Sequence, residues 1–310
     1  MKKLLATALL LVSATVWSAD ITTIVVTFPP GGAADTNGRI AADILTEHGI
    51  PTVVLNKPGA ESVIGINYAA KAVPDGHTLL IGGDAMGANY YFKTEGMEYN
   101  KDSFSPVTTM AELSFTLAVK SDSPIKNYDE FKKFVRAHPD KFNVSFWNNN
   151  LANIFRDWAK REGLPTPKII LYKGTAAALP DVIGGHTEFA FDTWFGIRPY
   201  AEDGKLRPLA SLNVNKAIPK TMTVPAISNK YPELNYSVLY GLWAPAGTPR
   251  AKILELNSII TEGMKEEKYR KRIEALTTTI YGGSPEQLQA AMDRNCKVIE
   301  RLATEYAPKQ

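Results

Sequence analysis

The chain has 310 residues, enough for two ordinary domains and a large core. Hydrophobic residues make up 45% and charged residues 22%, the balance of a soluble globular protein. The formal charge is +3, and loss of residues 1–19, which carry Lys2 and Lys3 and no acid, leaves about +1. That near-neutrality excludes the basic footprint of a nucleic-acid binder or of a protein held electrostatically on a membrane.

The first stretch, MKKLLATALLLVSATVWSAD, has the pattern of an export signal: a lysine pair, an apolar run from Leu4 to Val16, then small residues. An apolar run of roughly 13 residues is short against the about 20 needed to span a bilayer. Cleavage is expected near Ser18 to Asp20, although Trp17 sits badly three residues before a cut after Ala19. Cys296 is the single cysteine, so an exported fold has no internal disulfide and must stand on its core. No cysteine lies at the expected mature N-terminus to accept a lipid. The expected location is the periplasm, in solution and not as a lipoprotein.

Strand and helix signals then alternate. ITTIVVTF is β-branched and apolar. Ile40, Ile44 and Leu45 fall on one helical face, and Gly49 follows as a stop. PTVVLN reads as a second strand, SVIGINYAAKA as a closely packed helix, and PDGHTLLIGG as a turn and third strand. This alternation predicts a parallel sheet with covered faces. A second series follows. Asn127 and Glu130 are spaced as a capping box for YDEFKKFVRAH, whose Phe131, Phe134 and Val135 share a face. NVSFW, a helix through Ile154, Phe155 and Trp158, the strand KIILY, a short helix in TAAALPDVIGG, and the strands HTEFAFDT and RPLASLN complete it. TPRAKILELNSIITEGMKEE and SPEQLQAAMDRNCKVIERLATEY read as long amphipathic helices. Two extended segments, 114–124 and 237–249, read as crossings between the two α/β units. The expected division is a signal at 1–19, one lobe at 20–118 plus 242–310, and a second at 119–241.

Between the first strand and helix lies FPPGGAAD, residues 28–35. Gly31 and Gly32 lack side chains, so a ligand can come close to the backbone amides. Unpaired N–H groups at a helix start attract anions, and Pro29 and Pro30 stiffen the loop in advance. The lysine of a phosphate loop and the GxGxxG of a dinucleotide loop are both missing here, whereas a carboxylate can be held by amides and water alone. The same spacing also suits an ordinary strand-to-helix turn. Asp35 suits the helix dipole but repels an anion. It can orient water, hold the loop by hydrogen bonds, or meet an amine.

The sequence resembles the periplasmic substrate-binding proteins of tripartite tricarboxylate transporters, the Bug family. The resemblance is carried by VTFPPGGAADTNGRIAADIL, VVLNKPGAESVIGINYAAKAVPDGHTLLIG, DSFSPVTTMAE, LAVKSDSPIKNYDEFKKFVRAHPDKFN, YKGTAAALPDVIGGHTEFAFD, GKLRPLAS and YGLWAPAGTP, in that order along nearly the whole mature chain. It implies a two-lobed α/β venus-flytrap fold of the type II periplasmic-binding class, with a carboxylate held in the cleft by backbone groups and ordered water from one loop in each lobe. Carried over, the first loop is Phe28 to Asp35, including Pro30, Gly31 and Gly32. The second is Tyr172, Lys173, Gly174, Thr175, Ala176 and Ala177. Asp192 matches a cleft-facing position, and Gly83, Asp84 and Ala85 stand at a third strand end. Two departures reset the distal contacts. Asn148, Asn149 and Asn150 replace a glycine- and serine-rich turn, and Asp84 stands where a small or hydroxyl residue is expected.

Each of these residues has a plainer role open to it. Asp192 also suits a solvated strand end, and Asp84 a loop hydrogen bond. Trp147 and Trp194 suit core or hinge packing as well as an aromatic-substrate wall, and Cys296 a small packing position. His48, His77, His138 and His186 lack metal-ligand spacing, and no GxSxG, HExxH or CxxC occurs. The expectation is therefore a monomeric receptor without cofactor or metal and not an enzyme. Its ligand is a small organic carboxylate: a di- or tricarboxylate, an acidic amino acid or an aromatic acid. Its partners are membrane transporter subunits. A periplasmic sensor presenting ligand to a membrane kinase, or an enzyme acting on a carboxylate, are the alternatives. No arginine lies in the named loops, so Asp35, Asp84 and Asp192 favour a ligand with an amine or hydroxyls, or one reached through water.

Overall fold

The computed structural model describes residues 21–146, 149–172, 175–214, 218–222, 224–276 and 281–306. The β-branched run ITTIVV forms β1 (Thr22–Val26), followed by α1 (Ala33–Glu47), β2 (Thr52–Asn56), α2 (Val63–Ala70), β3 (Thr78–Gly83), α3 (Asp84–Phe92) and β4 (Phe104–Leu113). Next come β5 (Phe115–Lys120), α4 (Tyr128–Ala137), β6 (Asn143–Phe146), α5 (Asn149–Arg161), β7 (Lys168–Leu171), α6 (Thr175–Gly184), β8 (Phe189–Thr193), α7 (Trp194–Glu202) and β9 (Leu206–Ser211). The chain closes with β10 (Val238–Pro245), α8 (Arg250–Gly263), α9 (Glu267–Ala275) and α10 (Pro285–Tyr306).

Local chemistry accounts for several boundaries. Ile40, Ile44 and Leu45 of α1 are fully buried, as their spacing predicts. At the start of α4, the Glu130 N–H donates to Asn127 Oδ1 at 2.9 Å, and Asn127 Nδ2 donates back to the Glu130 carboxylate at 2.9 Å. The long helix expected through GMKEE is two: α8 stops at Gly263 and α9 restarts at Glu267. Gly263 lies directly against the Ile44 side chain, so the chain turns where it meets α1.

Two five-stranded sheets form, ordered β2-β1-β3-β10-β4 and β7-β6-β8-β5-β9. Each is a parallel trio, then one strand running the other way (β10 and β5), then an outer strand running again with the trio (β4 and β9), where the sequence predicted a parallel sheet. The cause is the crossing. The chain changes sheet at Ser114, between β4 and β5, and again before β10. β5 and β10 start at the junction and run away from it, while the trios run toward it. The register makes this concrete: Gly83, the last residue of β3, pairs with Tyr240 near the start of β10, and Thr193, the last of β8, pairs with Phe115, the first of β5. Both trios therefore end at the junction, and the N-termini of α1, α3, α6 and α7 gather there. Helix α10 spans both halves: Val298, Ile299 and Leu302 share a core cluster with Phe115, Phe155 and Phe191, and Arg301 donates to Asp157 of α5 at 2.7 Å. Among the described residues no helix is long and apolar enough to cross a membrane.

Candidate ligand-binding site

In α/β folds, ligands lie beyond the carboxyl ends of parallel strands, which here is the junction. The β1–α1 loop is its most open part. Pro30, Gly31 and Gly32 are exposed, and a side chain built on either glycine meets nothing within 4 Å. Gly31 has φ +94°, a conformation that costs glycine least. Gly32 is the N-cap of α1 and has no side chain to cap it, so the first-turn amides are offered to whatever enters.

Asp35 takes the second of the roles its position allows. It is 3% exposed, and its carboxylate accepts from the Gly31 N–H at 2.9 Å, from Arg39 Nε and Nη2 at 2.8 and 3.1 Å, and from Asn56 Nδ2 at 2.9 Å. Burial raises its pKa, but the hydrogen bonds from Arg39, Gly31 and Asn56 outweigh it and hold the carboxyl below its usual range. Asn56 Nδ2 also reaches the Phe28 carbonyl at 3.0 Å, and the Phe28 ring packs on the first lobe's core. Asp35 thus braces the loop from within. One amide counted as open to ligand, that of Gly31, is turned inward onto it.

Asp84 begins α3 and points toward the hinge. Its carboxylate accepts from the Tyr236 hydroxyl at 2.7 Å and from main-chain N–H groups of Leu239 and its own residue. Burial pushes it up to about 6, against the pull of those donors. Ala85, the next residue, is partly buried. Asp192 is 2% exposed and accepts from the Thr193 N–H at 2.6 Å and the Thr193 hydroxyl at 3.3 Å. A side chain built on Gly196 meets Thr175 Cγ2 at 2.7 Å and Asp192 Oδ1 at 3.4 Å, which sets Thr175 and Asp192 around the first turn of α7. Tyr172 turns aside: its hydroxyl donates to Asp181 at 2.5 Å and meets the Thr187 hydroxyl at 2.9 Å, so it braces α6. Asn148, Gly174, Lys173 and Trp147 lie outside the described residues, as does the side chain of Ala176. Trp194 is fully buried in the second lobe's core. Cys296 packs beside the first lobe's core, and burial pushes its thiol up to about 11.

The structure adds residues that no motif marked. The Tyr240 hydroxyl is pushed well up by burial first, then by the negative charges of Asp84 and Asp192, so it stands where the acids of the two lobes meet. Ala33, Phe195 and Tyr240 each pack against both major core clusters. Arg39 was readable as a partner four residues after Asp35 on one helix, but Tyr236 and Tyr240 join the site only through the crossing strand. A cavity of about 870 Å3 is on the second lobe beside Tyr128 and Arg207, away from these loops. A smaller one, about 260 Å3, lies between α3 and α5. Among the described residues no cluster of His, Cys, Asp and Glu could hold a metal ion.

Known proteins share this arrangement. BugT of Bordetella pertussis is 27% identical over 287 residues, covering 89% of this chain and 86% of that one. Among solved structures, Rhodopseudomonas palustris Rpa4515 with adipate superposes with a TM-score of 0.77 at 25% identity, covering 93% of this chain and 97% of that one. MatC of the same organism, with bound malate, gives 0.72 at 25% identity, covering 91% and 99%. Such proteins are solute-binding receptors and not enzymes, with the two-lobed periplasmic-binding-protein fold that the sequence implied. The model of the tripartite tricarboxylate transporter family receptor matches residues 38–305, and the chain belongs to that family.

Proposed function

We propose that the protein captures a small organic carboxylate between its lobes in the periplasm and hands it to the membrane subunits of a tripartite transporter. The observation that carries this reading is the uncapped, sterically open start of α1 at Gly32 and Ala33, held rigid by Asp35, Arg39 and Asn56 at the junction where both parallel trios end. One carboxylate of the ligand sits on these amides. The second lobe adds the segment from Tyr172 to Ala177 and Asp192 by a hinge motion about the crossings at Ser114 and before Val238. Residues 1–19 are removed on export, the lobes divide at those crossings, and the mature receptor acts as a monomer. Malate and adipate, bound by two family neighbours, are the first ligands to try.

Gly32→Asp tests the reading. Gly32 has φ −85° and free space around it, so the fold accepts the side chain while its charge occupies the carboxylate position. The expected result in calorimetry with a bound dicarboxylate is at least a hundredfold loss of affinity, about 2.7 kcal/mol. Unchanged affinity in a folded variant removes the loop from the site.

A further inference from the structure

The cavity of about 260 Å3 between α3 and α5 has a lining unlike a packing defect. Four asparagines border it, Asn89 from the first lobe and Asn149, Asn150 and Asn153 from the second, together with Arg156. Arg156 lies one turn beyond Asn153 on α5 and spends Nη1 on Asn153 Oδ1 at 2.8 Å. Among the described residues it has no carboxylate partner. Its neighbours on the same helix differ: Arg161 pairs with Asp157 and Glu233, and Lys160 with Glu305. A guanidinium has five N–H donors in a planar fork matched to a carboxylate. The opposite wall is strained. Ala60, Glu61 and Ser62 all have positive φ, at 46°, 51° and 76°. Such residues persist only where the surroundings hold them, and Asn89 Nδ2 holds this turn by donating to the Glu61 carbonyl at 2.9 Å, with Thr94 on Asn89 Oδ1 at 3.1 Å. The turn therefore has a fixed shape as one wall of the cavity. The Glu61 side chain, exposed at the rim, is the one acid bordering it among the described residues.

We propose that this cavity is a second carboxylate subsite, in which Arg156 and the asparagine amides take the far carboxylate of a ligand whose first carboxylate sits at Gly32. The inference rests on the function proposed above and narrows it: the ligand is a dianion, not an amino acid or a monocarboxylate. The arginine that the named loops lack is supplied by α5. The negative Glu61 at the rim weakens the hold on a dianion, so its removal is expected to strengthen binding.

The test is calorimetric titration with the straight-chain dicarboxylates from malonate to suberate, each beside the monocarboxylate of equal length. The wild-type protein, Arg156→Gln, Glu61→Gln and Gly32→Asp are compared. The expected pattern is one or two dicarboxylate lengths bound by the wild type, with the equal-length monocarboxylates at least tenfold weaker. Arg156→Gln lowers the dicarboxylate affinity at least tenfold and shifts the monocarboxylates less than twofold. Glu61→Gln raises dicarboxylate affinity two- to fivefold, a gain that misfolding cannot produce. Mono- and dicarboxylates bound equally tightly, or Arg156→Gln without effect while Gly32→Asp abolishes binding, overturn the second subsite and leave the first reading standing. Loss at Arg156→Gln with no change at Gly32→Asp overturns the glycine loop instead. No binding of any acid in the series overturns both.

Discussion

Asp35→Asn separates two opposed expectations for the acid beside the proposed carboxylate position. If the charge faced the ligand, removing it would tighten binding. The geometry predicts the reverse. Oδ2 accepts from Gly31 N–H and Arg39 Nε, and Oδ1 from Arg39 Nη2 and Asn56 Nδ2. Whichever way an asparagine amide is turned, its NH2 confronts one Arg39 donor and one donor from the loop frame. Arg39 is 50% exposed and finds water, so its share is small. The Gly31 or Asn56 donor left without a partner costs about 1–3 kcal/mol. Stability measured by urea unfolding at pH 7 falls by that amount. The loosened loop must then be ordered on binding, and about 1.4 kcal/mol of such ordering weakens a dicarboxylate tenfold in calorimetry. The folded carboxyl lies below its usual 3.8, so its contribution is complete above that value and is lost as pH falls through the lower folded one; the difference between wild type and variant should vanish only in strong acid. Tighter binding with unchanged stability would refute the brace.

Two further outcomes follow from the same site. Asp84 has the opposite sign. Its folded carboxyl is raised to about 6 from 3.8, so the protein loses stability as pH climbs between those values. Asp84→Asn keeps the acceptor for Tyr236 and should be more stable than wild type by about 1–3 kcal/mol at pH 8, with no gain at pH 3; equal stability at both pH values contradicts the buried charge. Tyr172→Phe removes a hydroxyl committed to Asp181 and Thr187, so thermal unfolding should show a loss of about 1 kcal/mol. Ligand affinity should change less than twofold, and a tenfold drop places the hydroxyl on the ligand instead.

The parallel trios, the capping box at Asn127 and the glycine loop were legible because each is written in consecutive residues with a local physical cause. Helices α3 and α7 were not, because each starts on the residue after its strand, at Asp84 and Trp194, with no turn signal between. The tyrosines beside Asp84 lie just before and within a strand about 150 residues later, and only the sheet order brings them there. The brace roles of Asp35 and Tyr172 were hidden for a similar reason. Residue type and position mark an acid or a phenol as near the ligand, but the direction of the side chain depends on Asn56 and Asp181. Arg156 was passed over because it lies mid-helix, outside every quoted motif.

The nesting of one sheet inside the chain of the other sets an order of assembly. All five strands of the second sheet lie within an unbroken segment ending at Ser211, whereas the first sheet lacks its fourth member until Pro245 is available. An N-terminal fragment stopping anywhere between these residues therefore carries one complete sheet and one with an interior slot vacant, and a truncation series across that interval should show two distinct thresholds of protease resistance.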